Sequence, residues 1–116
     1  MSFISTYDVV NEVVEETSKQ LGSRWNIHMP VLENIKADCT LVDQLVSEFC
    51  CESIEASVDE DMNLCVSIVC PDMVLEYGST HPFFTLIQHT SSFCFSAIDD
   101  SFKIDFVFSG VWQHSI

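Results

Sequence analysis

Residues 48–70 read EFCCESIEASVDEDMNLCVSIVC, and within them the spacing of apolar residues changes. Before this stretch, apolar residues recur every third or fourth place. From Leu64 onward they recur every second place, with Leu64, Val66, Ile68 and Cys70 alternating against Cys65, Ser67 and Val69. The first spacing lines one face of a helix and the second lines one face of a strand. The chain therefore passes from a helical part to a stranded part inside residues 48–70.

Read backwards from Glu48, the pattern predicts a long helix that begins at Thr40. Thr40 and Asp43 have the spacing of a capping box. Leu41, Val42, Leu45, Val46 and Phe49 fall on one face, and Ser53 and Ala56 extend it with small groups. Glu48, Glu52 and Glu55 then form an acidic ridge at the margin. Like charges one turn apart and acids near a helix C-terminus both weaken the end, so fraying is expected around residues 54–58. On the same wheel Cys51 is the exposed cysteine and Cys50 the marginal one.

An earlier helix is predicted from Ser5 to Gly22. Ser5 and Asp8 supply the start signal and Gly22 the stop. Tyr7, Val10, Val13, Val14, Thr17 and Leu21 share one side, while Asp8, Glu12, Glu15, Glu16 and Lys19 share the other. Between the helices, Trp25, Ile27 and Met29 alternate as an extended entry. Pro30 then opens a short helix with Val31, Leu32 and Ile35 inward.

Read forwards, strands are predicted at 64–77, interrupted by Pro71 and Asp72, and at 84–88, 93–97 and 102–108, with turns at Gly78–His81 and Asp99–Ser101. In the last strand Phe102, Ile104, Phe106 and Phe108 make a dry face against Lys103, Asp105 and Val107. Links this short exclude parallel crossovers, which need a dozen or more residues. The expected fold is α+β over a single domain, residues 1–116. Two or three N-terminal helices pack on a C-terminal antiparallel meander of about four strands, in two layers.

Charge is the strongest anomaly. Eighteen acids face four bases, for a net charge of −14, where about 2–8 in magnitude is usual for a small domain. No lysine or arginine occurs between Lys36 and Lys103. Such a field repels nucleic acid and attracts basic proteins. No run is apolar enough for a membrane span, and the first residues lack the pattern of a secretory leader. A cytoplasmic protein with reduced cysteines is expected.

Catalytic and metal signals are weak. Cys39, Cys50, Cys51, Cys65, Cys70 and Cys94 form no CxxC pair, and His28, His81, His89 and His114 show no HxxH or HExxH spacing. Residues 59–63, DEDMN, lack the calcium-loop period and its glycine. Cys50 and Cys51 sit among acids, which disfavours a reactive thiolate. GSTHP at 78–82 lacks the strand–turn–helix setting of a hydrolase serine. No catalytic residue, metal or cofactor is assigned.

Interaction is the remaining reading. The expected function is a non-catalytic acidic module that docks on a basic protein surface. Its sharper form is an inhibitor that mimics nucleic acid toward a nucleic-acid-binding protein. The candidate contact residues are Glu12, Glu15, Glu16, Glu48, Glu52, Glu55, Asp59, Glu60, Asp61 and Trp112, the last standing at a chain end with few local partners. One alternative is a self-associating assembly subunit, a homodimer paired through the final strand. Another is a small enzyme or ligand-binding domain with a pocket between helices and sheet.

Overall fold

A computed structural model describes residues 5–71, 88, 90 and 92–114. Helix α1 spans Thr6–Leu21. Ser5 caps it as the sequence predicts, its Oγ accepting from the Asp8 N–H at 3.1 Å. The helix ends at Gly22, whose φ of 76° lies in the left-handed half of conformational space and whose N–H donates to the Ser18 carbonyl. Val10 and Val14 are buried, and the polar face points outward.

A short 3₁₀ turn, Gly22–Arg24, leads into strand β1, Trp25–Ile27. Helix α2 then runs unbroken from Met29 to Glu48, with Pro30 in its first turn. This corrects the expected short helix followed by a second start at Thr40. No glycine or internal proline interrupts residues 31–48. Leu32, Ile35, Cys39, Val42 and Leu45 make one continuous buried stripe. Thr40 does not cap; its hydroxyl donates back to the Lys36 carbonyl at 3.5 Å, as a mid-helix threonine does.

Helix α2 also ends earlier than expected. The Phe49 N–H donates to the Leu45 carbonyl at 2.9 Å and the Cys51 N–H to the Val46 carbonyl at 3.0 Å. Cys50 between them adopts φ 52°. This left-handed closure terminates the helix. The chain leaves it as strand β2, Ser53–Val58, in place of the expected frayed helix. Ile54, Ala56 and Val58 turn toward the core, and Glu55 and Ser57 turn out. The acidic ridge Glu48–Glu52–Glu55 is thus divided between a helix end and a strand.

Strand β3, Leu64–Cys70, pairs with β2 through a turn at residues 59–63. The Asp59 carboxylate organises that turn. Its Oδ1 accepts from the Asp61 and Asn63 N–H groups, both at 2.9 Å, and its Oδ2 accepts from the Asn63 amide at 3.2 Å. Strands β4, Ser92–Ile98, and β5, Ser101–Phe108, form a hairpin across Asp99 and Asp100. The antiparallel sheet has the order β2-β3-β5-β4, so β3 neighbours β5 and a simple meander is excluded. The expected continuation of the first strand over 73–77, the strand at 84–88 and the turn at 78–81 lie outside the described residues, apart from Gln88, which is helical.

The fold is α+β, with two helices among the described residues and a second, two-stranded sheet that the sequence did not announce. That sheet pairs β1 with β6, Trp112–His114. The inner side of the large sheet contributes Leu64, Val66, Ile68, Cys70, Ile104, Phe106 and Phe108 to the core; the helices contribute the valines of α1 and the stripe of α2. Trp112 is 6% exposed, and its indole N–H donates to Ser18 Oγ at 3.0 Å. It therefore closes the core, correcting the picture of a chain end with few partners. Among the described residues, no helix is long and apolar enough to cross a membrane.

Candidate protein-interaction surface

The candidate acids lie on three parts of the fold. Glu12, Glu15 and Glu16 are on the outer side of α1. Glu48 ends α2, Glu52 follows the helix closure, and Glu55 projects from β2 on the side away from the helices. Asp59, Glu60 and Asp61 occupy the β2–β3 turn. All nine are exposed. α1 packs against the inner side of β2, so the acids of α1 lie on one side of the edge strand and Glu55 on the other. The hydrogen bonds from the Asn63 backbone, foremost, hold the Asp59 carboxyl below its ordinary value, because they favour the charged form.

A shallow hollow of about 250 Å³ lies against Glu12, Val13, Glu16 and Thr17. It is below the roughly 300–1,000 Å³ of small-molecule pockets. On the outer face of the large sheet, Ser67 donates to the Asp105 carboxylate, and Lys103 Nζ lies 3.9 Å from the same carboxylate. Lys103 and Asp105, both on the wet face of the last strand, are therefore paired, with a serine as a third member.

The cysteines divide differently from expectation. Cys51 and Cys70 form a disulfide, correcting the reading of six reduced thiols. Cys39, Cys50, Cys65 and Cys94 are free, with Cys50 and Cys94 exposed. The helical wheel had exchanged the neighbours: Cys50 is the exposed residue, and Cys51 is half-buried and bonded. Cys39 is buried, and burial, with Asp43 and Asp38 behind it, pushes its thiol up to about 12. Cys65 is raised too, by burial and then by Asp59 and Asp105. These shifts favour the neutral thiol over the nucleophilic thiolate.

His28 precedes α2 and His114 packs edge-on against Trp25 at 5.0 Å; His81 and His89 lie outside the described residues. Among the described residues, no group of three or more His, Cys, Asp or Glu side chains is placed to hold a metal ion.

Two features went unread in the sequence. Asp43 Oδ1 accepts both from the Thr6 N–H at 2.8 Å and from the Thr6 hydroxyl at 2.7 Å, capping α1 from α2. The sequence offered Asp43 only as a local cap partner of Thr40. The second is strand β4, where Phe93 and Phe95 stay 43% and 45% exposed although their register places them on the core side, opposite Phe106 and Ile104. Comparison with known proteins gives no match: no family model fits the chain, and no curated protein or solved structure resembles it at a significant level.

Proposed function

We propose that the chain is a non-catalytic interaction module that docks on a basic protein surface. The observation that carries this reading is the uniform exposure of the nine candidate acids on α1, the α2–β2 junction and the β2–β3 turn, in a chain of net charge −14. Concentrating like charge costs stability through self-repulsion, and a cationic partner turns that cost into attraction with fast, steered association. Trp112, buried in the core, is left out of the proposed surface. In the sharper form, the carboxylates occupy phosphate sites of a nucleic-acid-binding protein and inhibit it.

The test is capture of basic proteins from native lysate at low and high salt, repeated with Glu12, Glu15 and Glu16 reversed to lysine and, separately, with Glu52 and Glu55 reversed. Binding that weakens with salt and with at least one reversal set is expected. Binding indifferent to salt and to both sets defeats the reading. Competition by duplex DNA for the captured partner separates the mimic from a generic acidic contact.

A second reading, self-association, is favoured by the exposed Phe93 and Phe95. The route through the final strand is closed, because β5 is paired on both sides, by β3 and β4. Among the described residues the edge strands are β2 and β4, and the exposed phenylalanines favour pairing through β4. A dimer that forms with concentration and survives high salt supports it; a monomer at all concentrations removes it.

A further inference from the structure

We infer that Ser57 is a phosphorylation site for a serine kinase with a basic substrate groove, and that its phosphate extends the acidic outer side of β2. Four serines or threonines in the chain have an acid three places on: Ser5 before Asp8, Thr40 before Asp43, Ser57 before Glu60 and Ser96 before Asp99. That spacing suits a kinase that reads carboxylates beyond its target hydroxyl, since kinases choose substrates partly by charge pattern. Ser57 has the strongest version, with Asp59, Glu60 and Asp61 at the second, third and fourth places after it.

The fold separates the four. Ser5 caps α1, its Oγ accepting from the Asp8 N–H. Thr40 lies inside helix α2, its hydroxyl bonded to the Lys36 carbonyl. Ser96 is half-buried on β4 opposite Lys103, with its Oγ 3.7 Å from Cys94 Sγ, and the lysine there opposes a basic groove. Ser57 alone of the four is exposed at the end of an extended edge strand, on its outer side. Among the described residues β2 pairs on one side only, with β3, and α1 packs on the inner side, away from the hydroxyl. Beyond Ser57 the Met62 N–H donates to the Asp59 carbonyl at 3.2 Å, which sets Glu60 and Asp61 at the exposed tip of the turn. The Asp59 carboxylate is engaged within that turn, so Glu60 is the acid offered outward at the third place.

The step is transfer of the γ-phosphoryl group of ATP. A carboxylate of the kinase takes the Ser57 hydroxyl proton. The bond from Ser57 Oγ to the γ-phosphorus forms as the bond from that phosphorus to the β–γ bridging oxygen breaks, and ADP leaves. The product carries about −1.5 to −2 of charge and three strong acceptor oxygens. They stand between Glu55 and Asp59, two places before and two places after in the chain. Across the ladder Ser57 faces Cys65, and Cys65 faces Val107, neither of which is a base. The new charge is therefore left for a cation of another molecule, and it adds to the acids proposed to meet a basic protein surface.

An effect of the phosphate on partner binding rests on the docking reading; the test of the site does not. The full folded chain is incubated with ATP and an acid-directed serine kinase, and the product is mapped by peptide mass spectrometry. One phosphate, on Ser57, is expected. Ser57→Ala should abolish incorporation, and Ser96→Ala should leave it unchanged. Glu60→Gln should slow it about tenfold or more, the worth of one hydrogen bond to a charged group. Phosphate on Ser5, Thr40 or Ser96 in place of Ser57, no incorporation into the folded chain, or a Glu60→Gln rate equal to that of the wild type each overturns the site. Capture of basic proteins by the unmodified and the phosphorylated chain is the separate arm. The phosphorylated chain should hold its partner to higher salt, and equal retention by the two forms overturns the role given to the phosphate. Capture by neither form removes the docking reading and leaves the mapped phosphate standing.

Discussion

At the scale of single residues, Asp43 has the largest reach. One carboxylate oxygen satisfies both the first free N–H of α1 and the hydroxyl of a fully buried threonine. Its removal strands both donors, and a buried unsatisfied polar group costs about 1–3 kcal/mol. Asp43→Ala should therefore lower unfolding free energy by about that amount in urea melts, and Thr6→Val, which removes one donor, by less. Gly22 is a second such point. Nothing crowds an added Cβ there, but its φ of 76° and ψ of −161° fall where other residues are strained by roughly 1–3 kcal/mol. Gly22→Ala should show that loss, with the circular dichroism spectrum of the native state unchanged. Cys39 gives a pH dependence. Its folded thiol titrates near 12 against an ordinary 9.0, so the folded state holds its proton while the unfolded state releases it. That contribution is intact below pH 9 and is lost as pH rises toward 12. Urea midpoints measured from pH 8 to 11 should fall faster for the wild type than for Cys39→Ala.

At the scale of elements, α2 offers a direct test of continuity. Were Thr40 a cap, Leu41 would be a first-turn position that accepts proline. In an unbroken helix the same substitution removes a hydrogen bond and clashes with the preceding turn, costing about 3 kcal/mol or more. Leu41→Pro should exceed Leu41→Ala by that margin in chemical denaturation. The capping box at Thr40 misled because its spacing is a local signal, whereas the buried stripe from Leu32 to Leu45 is a tertiary one. The opposite happened at β2. Ile54, Ala56 and Val58 do alternate with Ser53, Glu55 and Ser57, but Ser53 and Ala56 also continue a helical wheel, and six residues cannot separate the two periods. Pairing with β3 decides for the strand, and only long-range contact supplies that information. α1, β3 and β5 were legible because each has one unambiguous period and one dry face. The β1–β6 pairing was not, since its strands are three residues each and lie at opposite ends of the sequence. Of the candidate surface, exposure of the acids was legible from their helical and turn positions, while their division among helix end, strand and turn was not.

At the scale of the whole molecule, charge governs behaviour in solution. With eighteen acids against four bases, the folded chain repels itself over distances that salt screens, about 10 Å at 0.1 M. Thermal unfolding should therefore move to higher temperature between 10 mM and 0.5 M sodium chloride, by an amount that shrinks when the Glu12, Glu15 and Glu16 reversals are introduced. A melting temperature unmoved by salt would show that the acids are spaced widely enough not to interact. The same screening weakens any docking on a cationic partner, so stability and binding should respond to salt with opposite signs.

The small sheet of Trp25–Ile27 with Trp112–His114 sets an order of assembly. Val111 receives the His28 N–H at 2.7 Å, and the Trp112 indole reaches Ser18 across 94 positions of chain. During synthesis, the two helices and much of the large sheet emerge before these partners exist. A nascent chain released from the ribosome at Gly110 would have both helices made and the joint between them unsealed. Formation of the small sheet thus waits on residues 111–114, and a protease pulse on stalled nascent chains should cut near residues 22–28 until Trp112 has emerged.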